Sequence, residues 1–145
     1  AFVSNQSEYS VLNRSVEEEM VPACAAHGVG LLPFYPLANG LLSGKFRFDR
    51  PLSHGTRLGD EPERAARVAT EQAMRAVEAL RAVTEGAAIP MAQLAIAWLA
   101  DRPSVGSVIA GARTVEQVTV NAGAAEVAID DALRSAVDDA VLGLR

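Results

Sequence analysis

The chain has 145 residues, half of them hydrophobic and 21% charged, which is enough apolar material for a core and excludes a disordered segment. A formal charge of −5, with Lys45 the only lysine, excludes the clustered positive surface of a nucleic-acid or anionic-membrane binder. One cysteine, Cys24, excludes a disulfide framework and fits a reducing, cytoplasmic setting, and no apolar run reaches the roughly 18 residues that span a membrane.

Residues 2–6, Phe-Val-Ser-Asn-Gln, read as a short strand. Ser15-Val16-Glu17-Glu18 has the spacing of a capping box, and a helix is expected from there to His27, stopped by Gly28. In that reading Glu17, Glu18 and Glu19 are a solvated helix start at the positive end of the dipole, and Cys24 is a small core residue. The apolar run 29–34 reads as a strand buried on both faces. Residues 36–61 lack periodicity, and so long a connection is usually functional or mobile. One long helix is expected over 62–85, stopped at Gly86, and another from Met91 to Asp101. Val105 to Ile109 reads as a third strand. Thr114-Val115-Glu116-Gln117 is a second capping box whose helix runs to about Ala125, and Asp130 caps a last helix over 131–142. Strands alternating with helices imply a parallel sheet under helices, either doubly wound or a slice of a barrel.

Gly40-Leu41-Leu42-Ser43-Gly44-Lys45 looks like a phosphate loop but is one residue short, with Phe46 where a hydroxyl must hold magnesium, so a nucleoside-triphosphatase reading is rejected. Gly111-Ala112-Arg113-Thr114 ends a strand and opens a helix. Free amides at such a start, with a guanidinium beside them, suit an anion, although a capped helix with a surface arginine reads equally well. Gln117 and Asn121 face the same end. His27 and His54 have no partners at metal-ligand spacing, and Tyr9 and Tyr35 have no lysine nearby in sequence to activate them.

Three stretches, Gln6-Ser7-Glu8-Tyr9-Ser10, then 28–45, then 111–121, resemble the aldo-keto reductases in order and spacing, above all the branch shared with bacterial oxidoreductases and potassium-channel β-subunits. The resemblance implies the C-terminal half of a (β/α)8 TIM barrel over residues 1–145: three parallel strands with covering helices, binding NADP(H). By resemblance, Gln6 bonds the nicotinamide carboxamide and Phe34 stacks on its ring. Tyr35, Pro36, Leu37, Ala38 and Asn39 line the pyrophosphate, Lys45 contacts phosphate and Arg57 reaches the adenosine end. Gly111, Arg113, Gln117 and Asn121 fall on the pattern for the 2′-phosphate and adenine. Tyr35 stands where many members have Ser, and Val120 where many have Glu.

The family reduces a carbonyl with a tyrosine, lysine, aspartate and histidine from the first half of its barrel, so no catalytic residue is expected here. The alternatives are a non-catalytic nucleotide-binding or interaction module, or an inactive truncated remnant. No nucleic-acid or membrane partner is expected. A half-barrel leaves strand edges and apolar surface bare, so self-association or pairing with the missing half is expected.

Overall fold

A computed structural model describes residues 2–144. Two strands, β1 (Ser4–Glu8) and β2 (Gly30–Phe34), pair in parallel with Gln6 opposite Leu32 and Glu8 opposite Phe34. The first strand thus starts two residues later than the sequence suggests. The pairing with β2 decides this: Phe2 and Val3 precede it and are 91% and 80% exposed. Side chains alternate on β2, so Leu31 and Pro33 are buried, while Leu32 and Phe34 occupy the other, half-open face.

The expected third strand is not continuous. Segment 105–109 touches β2 only through single parallel bridges, Leu31 with Val105 and Phe34 with Ile109. Around Leu31 the ladder is regular: Leu31 N donates to Ser104 O and Gly106 N to Leu31 O. Two residues on, the strand edge presents Pro33, which has no N–H to give. The segment slips by one residue there, and Ile109 N, rather than the amide of residue 108, reaches Pro33 O at 2.8 Å.

Among the described residues there are seven α-helices, packed on the sheet and on one another. They are α1 (Met20–His27), α2 (Arg57–Asp60), α3 (Pro62–Val68), α4 (Glu71–Ala87), α5 (Met91–Ala100), α6 (Val115–Ala122) and α7 (Asp131–Ala140). Apolar nearly all round, α5 buries eight of its ten residues and forms the centre of the packing. The bent pair α4–α5 has the length and composition of a span but turns by 93°, and among the described residues no single helix is long and apolar enough to cross a membrane.

Three helix boundaries depart from the sequence reading. The Ser15 box does not close: Ser15 Oγ donates to Asn13 Oδ1 at 3.0 Å, Ser15–Glu17 is a 3₁₀ turn, and α1 begins at Met20. The long helix breaks at Ala69, where Thr70 caps α4 by accepting Ala73 N. That helix runs past Gly86 to Ala87 and is capped by Ala88, whose φ of 55° is left-handed, because Ile89 returns its amide to Thr84 O while its side chain packs on the core. As expected, Gly28 ends α1 with a left-handed φ, Asp130 caps α7 and Cys24 lies in the core.

Glu17 is not a solvated surface acid. It accepts the buried Tyr9 hydroxyl at 2.6 Å and two bonds from Arg14, whose Nη1 also reaches Asp138 Oδ1 at 2.6 Å. Arg14 and Arg102 stack on the Trp98 ring at 4.9 and 3.7 Å, and Tyr9 meets that ring edge-on at 5.8 Å. Burial first, then the hydrogen bond and charge of Glu17, push the Tyr9 phenol above its ordinary value. Burial works against charge on Glu17. The bonds from Arg14 and Tyr9 outweigh it and hold that carboxyl low.

Candidate functional site

Where β2 and the bridged segment 105–109 end, a cavity of about 720 Å³ opens between the loops that follow them. Its size is that of a small-molecule site, and the carboxyl end of parallel strands is where such sites form. Phe34, the last residue of β2, contributes its ring to one wall, edge-on to Tyr35 at a centroid distance of 5.1 Å.

The loop after β2 holds its shape against local preference. Tyr35, Ala38 and Asn39 all have positive φ, at 53°, 46° and 57°, and such residues cost about 1–3 kcal/mol each. Gly40 follows at 104°, a conformation that favours glycine. Leu41 and Leu42 pay this back by complete burial, and Asn39 Oδ1 accepts Arg64 Nη1 at 3.2 Å. The connection 36–61 is thus neither loose nor featureless: it contains the turns over Ala38–Ser43 and the helix α2, with Phe46 and Leu58 in the core. Buried pairs and left-handed residues have no period, which is why the sequence shows none.

Helix α2 brings in Arg57. Thr56 caps it, accepting Gly59 N at 3.0 Å and donating to Ser53 O at 2.6 Å. A Cβ on Gly59 would lie 1.9 Å from Ser53 O, so this turn requires glycine for close approach rather than for its φ.

On the opposite wall, Thr114 caps α6 by accepting Gln117 N at 3.3 Å. The expected box closes differently: Gln117 Oε1 takes the amide of Arg113, at 2.7 Å, instead of the cap residue's own. Asn121 Nδ2 donates to Gly111 O at 3.4 Å. Both side chains therefore brace the 111–113 turn as well as lining the cavity.

Lys45, Arg57 and Arg113 all line the cavity, and among the described residues none of them forms an ion pair. The single lining carboxylate, Glu116, is exposed and held low by a hydrogen bond from its own amide and then by Thr114. An otherwise acidic chain thus concentrates positive charge here, beside the N-terminal end of α6.

Of the residues singled out from sequence, Phe34, Tyr35, Pro36, Leu37, Asn39, Lys45, Arg57, Gly111, Arg113, Gln117 and Asn121 come together around this one cavity. Ala38 does not line it: it is buried, with its methyl in the core. Gln6 does not line it either. Its register opposite Leu32 places it on the face of the sheet that Phe34 shares, one strand away. Sequence reasoning missed Glu116 as a lining acid and Arg64 as the support of Asn39. Neither carries a local signal, since one sits inside a cap motif and the other in an ordinary helix. Tyr9 lies outside the cavity with its hydroxyl engaged by Glu17.

The sequence profile described as Aldo/keto reductase family matches residues 1–141. Among curated relatives, a probable voltage-gated potassium channel subunit beta from Arabidopsis thaliana is 35% identical over 127 residues, covering 86% of this chain and 39% of that protein. Aldo-keto reductase AMT2 of Alternaria alternata is 34% identical, covering 95% of this chain and 36% of that protein. L-glyceraldehyde 3-phosphate reductase of Escherichia coli O157:H7 is 31% identical over 81% of this chain and 35% of its own length. The chain thus spans about two fifths of the length of these relatives.

Proposed function

Because the chain belongs to the aldo/keto reductase family, we propose that it forms the cofactor-binding part of a carbonyl-reducing oxidoreductase that uses NADPH. The observation that carries this reading is the meeting of three unpaired cations, a helix start and the Phe34 ring in one cavity. A phosphorylated dinucleotide has the matching parts, two phosphate-bearing ends and an aromatic ring, so the residues fit the group. Bound NADPH supplies a hydride for an aldehyde or ketone.

The chain's own residues hold and orient it. Phe34 offers a flat face to the nicotinamide, and Gln6, on the same face of the sheet, takes its carboxamide. Loop 35–39 and Lys45 meet the pyrophosphate, and Arg57 the adenosine end. Arg113 forks onto the 2′-phosphate at the positive end of α6, with Gln117 and Asn121 fixing the turn that carries it. Val120, an apolar lining residue, leaves the adenine amine without a carboxylate there. The proton donor and its partners come from the part of the barrel that precedes this segment, so residues 1–145 form a partial domain without turnover of their own. A reducing, cytoplasmic setting suits the buried Cys24 thiol.

Titration with NADPH and NADH tests the reading. NADPH should bind more tightly, and Arg113→Ala should erase the preference by weakening NADPH about ten-fold or more while leaving NADH nearly unchanged. Equal binding of both, or an unaltered preference in the variant, counts against it.

The similarity to a potassium channel subunit beta favours a second reading, in which the same cavity holds nucleotide in a module that associates with channel subunits. NADPH binding by the full-length protein, without turnover of any carbonyl compound, would favour it.

A further inference from the structure

Lys45 stands on a stretch that α4 grips from outside the cavity. Arg81, a charged residue only 9% exposed, donates Nη1 to Gly44 O at 3.3 Å and Nη2 to Phe46 O, the carbonyls on either side of Lys45. Its Nε lies 3.4 Å from Glu78 Oε2, and the other Glu78 oxygen accepts Phe48 N at 3.0 Å. Arg75, one turn earlier, places its guanidinium 4.9 Å from the Phe48 ring.

A buried guanidinium is costly unless its donors are used. Here two of them go to the backbone of the loop that carries Lys45 rather than to a neighbouring helix. Carbonyls 44 and 46 are both taken by the Arg81 side chain of α4, and Gly44, at a φ of 82°, turns the chain just after the buried Leu42. The exposed ammonium group of Lys45 thereby starts from a backbone with little freedom, although Lys45 itself has no ion-pair partner among the described residues.

We propose that Arg81, oriented by Glu78, is a positioning residue for Lys45, and that it sets the strength with which the cavity holds a phosphate group. This rests on the reading of the cavity as a dinucleotide site. A lysine at position 81 would not reproduce this grip, because its single nitrogen lacks the fixed planar pair of donors that meets the two carbonyls.

The test is a binding cycle with NADPH as probe, in the full-length protein, with Lys45→Met, Arg81→Met and the double variant. Each single change should weaken NADPH about ten-fold, and the double variant should be no weaker than either, since both remove the same contact. A purely structural Arg81 would lower the melting temperature while its effect on binding multiplied with that of Lys45→Met, and that result overturns the inference. Should Arg81→Met fail to fold, Glu78→Ala takes its place with the same expected non-additivity, and additivity there overturns the inference equally. If Lys45→Met weakens binding and neither α4 variant does, the positioning role fails and the site stands. If the unsubstituted protein does not bind NADPH, the site reading falls and this inference with it.

Discussion

Tyr9, Glu17 and Arg14 show how a few side chains can couple a strand end to a distant helix. The Tyr9 hydroxyl and the Arg14 guanidinium converge on Glu17, and Arg14 continues to Asp138 on α7. The carboxyl of Glu17 is lowered in the fold from its ordinary 4.5, so its contribution to stability is present above that value and is lost as pH falls through the folded value. The Tyr9 phenol is raised from 10.0, so its contribution is present below pH 10 and is lost as pH rises beyond it. Urea melts across pH should show the acid limb flattened in Glu17→Gln and the alkaline limb flattened in Tyr9→Phe. Unchanged limbs in both would mean that the network carries no proton linkage. At neutral pH, Glu17→Gln should cost about 1–3 kcal/mol, because Arg14 and Tyr9 keep a weaker acceptor.

Among the secondary-structure elements, α4 carries the most consequence. Its start depends on the Thr70 cap, and Thr70→Ala should destabilise by about 1 kcal/mol. Its end is set in a different way. Ala88 adopts a left-handed conformation that costs an alanine about 1–2 kcal/mol, more than the flexibility a glycine adds to the unfolded chain. Ala88→Gly should therefore raise the melting temperature without altering NADPH affinity, since it lies outside the cavity lining. A lower melting temperature would show that the backbone is not held in that conformation. In α2 the opposite holds: Gly59→Ala should shift the Ser53–Thr56 turn and weaken binding through Arg57, because its methyl would overlap Ser53 O.

For the molecule as a whole, the distribution of apolar surface matters most. Phe2 and Val3 stand exposed beside β1, whose outer edge meets no strand among the described residues. The nearby α1, Met-Val-Pro-Ala-Cys-Ala-Ala-His, is almost wholly apolar yet buries only Cys24. Such a surface calls for cover by more of the barrel or by another copy. Light scattering after size exclusion should find residues 1–145 alone above the monomer mass at high concentration. A monodisperse monomer that melts cooperatively would show that the exposed edge is tolerated.

The two paired strands, the caps at Thr114 and Asp130, the Gly28 stop and eleven of the thirteen residues expected at the site could be read from sequence, because each rests on local chemistry: a side chain that bonds its own backbone, an apolar period, or a motif with a fixed spacing. What could not be read came from contacts between distant residues. Pro33 breaks the third strand only because segment 105–109 must pair at its edge. The Ser15 box stays open because its hydroxyl turns back to Asn13, Glu17 is drawn in by Arg14 and Tyr9, and the left-handed backbone of Tyr35, Ala38 and Asn39 exists only while Leu41 and Leu42 are buried. Sequence by itself determined the parts and their order. The choice among locally similar energies, one continuous helix against two or a regular ladder against a slipped one, was left to packing, where burial is worth more than any single local preference.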